Sequence, residues 1–322
     1  MKNFNIVDLH CDTLMELYLQ KTDLQHFNGH INLEKLQKGG SMVQSFAVFI
    51  PTHQSAERNG VTEDAYSYFN HVADVFDREM AANSDIIRPV RCYDDIMKNV
   101  ADGKLSGLLT IEDGVAVDGK IERVKEFYDR GVRMIALTWN YENSIGFPNS
   151  RDPELHKLGL KPFGLEVIAE MDKLGMIIDV SHLSEGGFWD IIKHGTKPFI
   201  ASHSCARALC DHPRDLTDEQ LKALGEKGGI CGINFCSGFL VKDSDFTTVE
   251  GIVRHARYIA DKAGIDAVAM GSDFDGIGNG LEFQDFAGFP MIVDGLAKAF
   301  SSSDVDKICH GNALRVIKEV VG

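Results

Sequence analysis

A chain of 322 residues with 44% hydrophobic content is long enough to bury a large core, and its 25% charged residues and mean hydropathy of -0.12 are ordinary for a soluble protein. The net charge of -15 and the pI near 5.2 repel phosphate backbones and anionic bilayers, which argues against nucleic acid or a membrane surface as partner. No segment approaches the ~20 apolar residues of a membrane span, and seven scattered cysteines without a CxxC pair predict buried, reduced thiols in a cytoplasmic protein.

Residues 4–9 form a short run rich in Ile, Val and Leu and read as a buried strand. His10 and Asp12 follow it, two apart and therefore on one side of extended backbone, a good arrangement for holding a divalent metal. Cys11 between them is expected to face away. A short helix is expected over 14–24 and a second strand over 41–50. Residues 51–60 read as a loop. An amphipathic helix follows over 62–80, with Thr62 as N-cap and Ala65, Phe69, Val72, Val75 and Phe76 on its apolar face. Residues 83–106 carry a further short helix, and 107–111 a third strand ending at Glu112.

A helix over 120–129 stops near Gly131. The fourth strand, 132–138, leads into Trp139, Asn140 and Tyr141. The polar stretch 142–162 reads as a loop, from which His156 could overhang the strand ends. A helix over 163–174 stops at Gly175, and the fifth strand, 176–181, ends at His182. A helix over 184–194 precedes the sixth strand, 198–202, which ends at His203. Thr217 caps a helix running to 227. The seventh strand is 229–235, a helix covers 248–263, and the eighth strand, 267–271, ends at Asp273. Two closing helices are expected to finish the chain, and neither a leader before the first strand nor a lipid anchor after the last helix is expected.

Eight near-continuous apolar strands, most separated by a helix, predict a parallel sheet covered on both faces and closed as a (β/α)8 TIM-type barrel. No linker or repeat divides residues 1–322, so one catalytic domain is expected. An open doubly wound sheet is the other architecture, but it would usually bring GxGxxG or GxxxxGK[ST], and neither is present. In a barrel all strand C-termini face one end. His10, Asp12, Glu112, His182, His203 and Asp273 would gather there. That set exceeds what one tetrahedral zinc uses and points to two cations bridged by a carboxylate and a solvent oxygen, roughly 3.5–4 Å apart. Imidazole mixed with carboxylate suits Zn²⁺, with Mn²⁺ or Fe²⁺ left open.

The motifs DLHCDT (8–13), IEDG (111–114), DVSH (179–182), ASHS (201–204), HPRDLTDEQL (212–221), GSDFDG (271–276) and GNALRV (311–316) resemble those of the renal or membrane dipeptidases and their bacterial relatives, in order along nearly the whole chain. The resemblance implies a barrel with two zinc ions that hydrolyses dipeptides, and suggests a homodimer. It places His10 and Asp12 on one zinc, His182 and His203 on the other, and Glu112 across both. Arg214 would grip the substrate carboxylate, a role that suits a bidentate guanidinium. Asp273 would be the acid/base that takes a proton from the bridging hydroxide's parent water and passes it to the leaving amine, without a covalent intermediate. One position departs from the pattern. Where the renal enzymes have a histidine after Leu-Thr, this chain has Trp139, in ALTWNYEN (136–143). Asn140, Tyr141 or Asn143 could supply the polar contact, and Trp139 a pocket wall or core packing. The competing functions are another binuclear hydrolase of the amidohydrolase type, such as a lactonase or deacylase, and a non-catalytic metal-binding barrel.

Overall fold

Eight parallel strands close on themselves in the computed structural model, which describes residues 5–322; Phe4 of the predicted first strand lies outside the described residues. They are β1 (Ile6–Asp8), β2 (Ser41–Phe49), β3 (Leu105–Glu112), β4 (Met134–Ala136), β5 (Ile177–Asp179), β6 (Ile200–Ser204), β7 (Ile230–Ile233) and β8 (Val268–Met270). Each pairs with the next, β8 pairs with β1, and helices surround the ring, which is the predicted (β/α)8 barrel.

Period-two alternation splits the apolar side chains into two cores. Val7, Val43, Leu108, Met134, Ile177, Ile200 and Ile230 point inward near the strand starts, and Val316, Ile317 and Val320 of the last helix pack against them. That helix, Asn312–Val320, therefore seals one end of the barrel. Ile6, Phe46, Val48, Leu109, Ile111 and Ile178 belong to the larger core shared with the surrounding helices, and Cys11 lies there, fully buried. The other end is left to polar groups. Backbones crowd one another inside it: a Cβ on Gly271 would stand 1.7 Å from the Ser202 carbonyl oxygen, so only glycine fits.

Several elements differ from the sequence-based expectation. A ninth parallel strand, Ile87–Val90, pairs with Leu105–Leu108 of β3, on the edge that β4 reaches only from Thr110 onward. Pro89 sits in it, tolerable on an edge strand, and the predicted helix shrinks to Tyr93–Ala101. The supposed loop 51–60 contains the helix His53–Asn59. The helix predicted over 62–80 runs Ala65–Ala82, because Asp64 rather than Thr62 accepts from the Tyr66 and Ser67 amides. Thr217 caps as expected, in a reciprocal box with Gln220. Among the described residues no helix is long and apolar enough to cross a membrane.

Candidate metal centre

Strand ends deliver every predicted ligand to one spot. Glu112 is the last residue of β3 and His203 lies in β6. His10 and Asp12 follow β1, where Asp273 N–H donates to His10 O (3.2 Å) and Asp12 N–H to Phe274 O (2.9 Å), joining the β1 and β8 extensions. Asp12 stands at the N-cap position of helix Thr13–Gln20 but makes no capping bond, so its carboxylate is free to face the centre. His182 and Asp273 have φ of 66° and 61°. Left-handed backbone at a non-glycine residue is costly, and it occurs here at two side chains turned into the site.

Glu112 spans the cluster. Its Oε1 lies 2.9 Å from His182 Nε2 and 3.4 Å from His203 Nε2, while its Oε2 lies 3.4 Å from His10 Nε2. His10 Nε2 is also 3.6 Å from Asp12 Oδ2 and 3.8 Å from Asp273 Oδ1. All five predicted ligands are buried.

Hydrogen bonding on the far side of each imidazole sets which nitrogen is bare. His182 Nδ1 is 3.0 Å from Asn140 Oδ1, which can only accept. His203 Nδ1 is 2.7 Å from Ser202 Oγ, whose own proton goes to Asp179. Both rings therefore carry their proton on Nδ1 and turn an Nε2 lone pair inward, as metal-bound histidines do. Burial pushes His182 down to about 4, with Arg214 adding to it, and burial and His10 hold His203 well below the usual range. Burial also pulls on His10, but Glu112 and Asp12 outweigh it and lift its pKa well above the ordinary value. The acids thus demand positive charge where the Nε2 atoms converge.

Does this set fit divalent cations? His10 Nε2 and Asp12 Oδ1 are buried atoms with no hydrogen-bond partner, which is costly unless something else satisfies them. His10, Glu112 and His203 offer ligand atoms within 4.8 Å of one another, and so do His10, Asp12 and Asp273. Two overlapping groups of nitrogen and carboxylate donors suit two cations of the zinc type.

The remaining predicted residues divide. Asp273 is held at Oδ2 by Asn234 Nδ2 (2.8 Å), and burial raises its pKa against the pull of His10. Arg214 is 5% exposed; one guanidinium nitrogen donates to His203 O (3.1 Å), its Nε has no partner, and it makes no salt bridge among the described residues. A buried cation without a counter-ion is a ready anion site. Trp139 packs edge-on against Phe49 at 4.8 Å between centroids. Trp139 and Asn140, with Arg214, Asp273, Glu112 and Phe239, line one cleft of about 560 Å³. Tyr141 is not part of that lining; it stacks on His53 at 4.3 Å. Asn143 is spent on Asp113 Oδ1 (2.8 Å) and Leu137 O (2.9 Å), away from the centre. His156 does not overhang the site but meets Arg207 and Ser150.

Some participants escaped the sequence. Asn234, Ser202 and Asp179 hold the residues that face the cleft. Gly276 is another: a Cβ there would lie 2.1 Å from Asp12 Oδ2 and 2.6 Å from Asp273 Oδ1. Asp179 and Ser202 stand inside the DVSH and ASHS motifs, the one signal available.

Compared with known proteins, residues 1–321 match the family described as membrane dipeptidase (peptidase family M19). An uncharacterized protein in the pqqA 5′ region of Klebsiella pneumoniae is 41% identical over 237 residues, 70% of this chain and 86% of that protein. The dipeptidase tcpJ of Claviceps purpurea is 30% identical over 91% of this chain and 69% of its own. A metallo peptidase from Rhodobacter sphaeroides, solved with a phosphinate mimic of the dipeptide L-Ala-D-Ala, superposes with a TM-score of 0.90 at 26% identity, covering 99% of this chain and 100% of that one.

Proposed function

The chain belongs to the membrane dipeptidase family, peptidase family M19, and is a metallo-dipeptidase, a peptide-bond hydrolase; from that premise we propose that it cleaves dipeptides at a two-cation centre held by His10, Asp12, Glu112, His182 and His203. His10 and Asp12 would hold one cation, His182 and His203 the other, and Glu112 would reach both. When bound, two zinc ions, with manganese or iron as the alternatives, supply the charge that polarises a scissile carbonyl and bring the pKa of water towards ~7. This assignment takes residues 1–322 as one catalytic barrel. Its unpaired cysteines, most of them buried, fit a reducing cytoplasm.

Arg214 binds the substrate's free carboxylate. Its guanidinium is already desolvated and braced from behind by His203 O, so little ordering remains to be done on binding. Asp273 receives the proton of the attacking water and returns it to the departing amine. Burial favours its protonated form, which suits a group that must give a proton back. Asn234 fixes the Asp273 carboxylate by its Oδ2, leaving Oδ1 turned towards His10. Asn140 orients His182, and Trp139 with Phe49 walls the cleft against water. In this assignment Trp139 shapes the pocket and carries no proton, since an indole only donates.

The observation that carries this assignment is the bridging posture of Glu112, one oxygen toward His182 and His203 and the other toward His10. Metal analysis of the purified protein, paired with hydrolysis of dipeptides, N-acyl amino acids and lactones, tests it. Two equivalents of a transition metal and turnover confined to dipeptides are expected. Turnover of lactones alone would overturn the substrate assignment.

A further inference from the structure

One cation in the cleft has no task in the chemistry described. Arg58, on helix His53–Asn59, lines the same cleft as Arg214, is exposed, and forms no salt bridge among the described residues. Its helix follows β2, and Arg214 follows β6. In the closed ring of eight these strands stand opposite one another, so helix His53–Asn59 and the Arg214 segment flank the barrel mouth from opposite sides, and both arginines line the cleft between them. The helix is not adrift. His53 stacks on Tyr141 at its start, Ser55 is buried against the cleft, and Gly60 ends it in a left-handed cap.

A dipeptide whose carboxylate sits on Arg214 must cross the His and acid cluster to bring its peptide bond there. Its N-terminal residue then lies on the Arg58 side. That side offers Met15, Phe49 and Trp139 as apolar walls and Arg58 at the rim. We infer that Arg58 makes the enzyme selective for dipeptides with an acidic N-terminal side chain, glutamyl before aspartyl. The methylene stem packs on the walls and the carboxylate meets the guanidinium. Glu16 and Asp275 line the cleft too and repel an anionic side chain. The preference therefore depends on Arg58, and loss of that one charge inverts it. Glu16 suits the substrate's ammonium group instead, whereas the Asp275 oxygens are taken by Thr13 and the His30 amide.

This inference rests on the dipeptidase assignment, and the test separates the two. The metal-loaded enzyme is assayed on Glu-Ala and Gln-Ala, each with L- and D-alanine, in the wild type, Arg58→Ala and Arg58→Lys. The wild type is expected to favour Glu-Ala by about fivefold in kcat/KM, the upper range for an exposed ion pair, chiefly through KM and less at high salt. Arg58→Lys keeps most of that ratio. Arg58→Ala brings it to one or below. A wild-type ratio at or below one, or a ratio unchanged in Arg58→Ala, overturns the role of Arg58 while turnover of Gln-Ala leaves the dipeptidase assignment standing. No turnover of either peptide by a metal-loaded enzyme overturns both.

Discussion

His182 and His203 face each other Nε2 to Nε2 at 3.1 Å. Asn140 and Ser202 occupy their Nδ1 protons, so the approach sets lone pair against lone pair. Two such acceptors, with Glu112 Oε1 beside them, are stable together only around a shared positive charge.

Removing metal with a chelator is therefore expected to abolish turnover and lower the melting temperature, because the folded state alone holds the cations. Titrating zinc back should restore both at about two equivalents per chain. His203→Ala should bind about one equivalent fewer than the wild type and lose activity. Elemental analysis beside a melting curve reads this, and full stoichiometry in His203→Ala would remove His203 from the ligand set.

Asp273→Asn keeps the shape of the side chain and can still accept from Asn234. It cannot carry a proton between water and amine. Turnover is expected to fall by ~10²–10⁴-fold with metal content unchanged. Steady-state kinetics on a metal-quantified sample decides the matter, and an Asn variant with near-normal kcat would show that another group moves the proton.

Gly276→Ala tests the packing of the centre without touching a ligand. The new methyl would press on the carboxylates of Asp12 and Asp273, at 2.1 and 2.6 Å. Either carboxylate must turn away, so weaker metal binding and at least tenfold lower activity are expected. The site lies at the barrel mouth, so the melting temperature of the metal-free protein should move little. A metal affinity equal to the wild type's would mean that the loop 273–278 yields instead.

The contrast between Gly276 and Glu112 shows what a sequence can and cannot disclose. Glu112, His182 and His203 stand where apolar runs stop, and a strand end is visible as a change in composition. The eight barrel strands were legible for the same reason. Arg88 and Pro89 interrupt the apolar run of Ile87–Val90, and the polar HQSAERN of the helix His53–Asn59 has no apolar stripe, so neither element announced itself. Asn234 and Gly276 act through space on residues far away in the chain, Asn234 on Asp273, 39 positions on, and Gly276 on Asp12, 264 positions back. No spacing rule records such a contact. The same holds for Asn140, where the motif suggested a substrate contact and its amide oxygen is taken by His182.

His255 ties the Arg214 loop to the rest of the barrel, and it does so only when neutral. Its Nδ1 accepts from the Ala206 amide at 3.1 Å, and its Nε2–H donates to Leu240 O at 2.9 Å. Ala206 bridges to Leu216, so the pair encloses the loop that carries Arg214. Burial, aided by Arg254, pushes His255 down to about 4, whereas an unfolded histidine titrates near ~6.5. The folded state thus binds fewer protons than the unfolded one between these values. Its contribution is fully present above pH ~6.5 and is lost progressively as pH falls towards about 4, on the order of 3 kcal/mol in all. His182 and His203 push in the same direction, so the wild-type slope alone assigns nothing to His255. The comparison is His255→Gln against the wild type, both metal-free, by urea unfolding at pH 7.5 and pH 5. Gln replaces only one of the two hydrogen bonds, so the variant starts less stable at pH 7.5. It should nevertheless lose less on acidification, and the two stabilities should converge. Parallel losses in the two proteins would show that His255 is protonated in neither state, or equally in both, and that the acid sensitivity lies in other groups, such as His182, His203 and His212, which burial also pushes down.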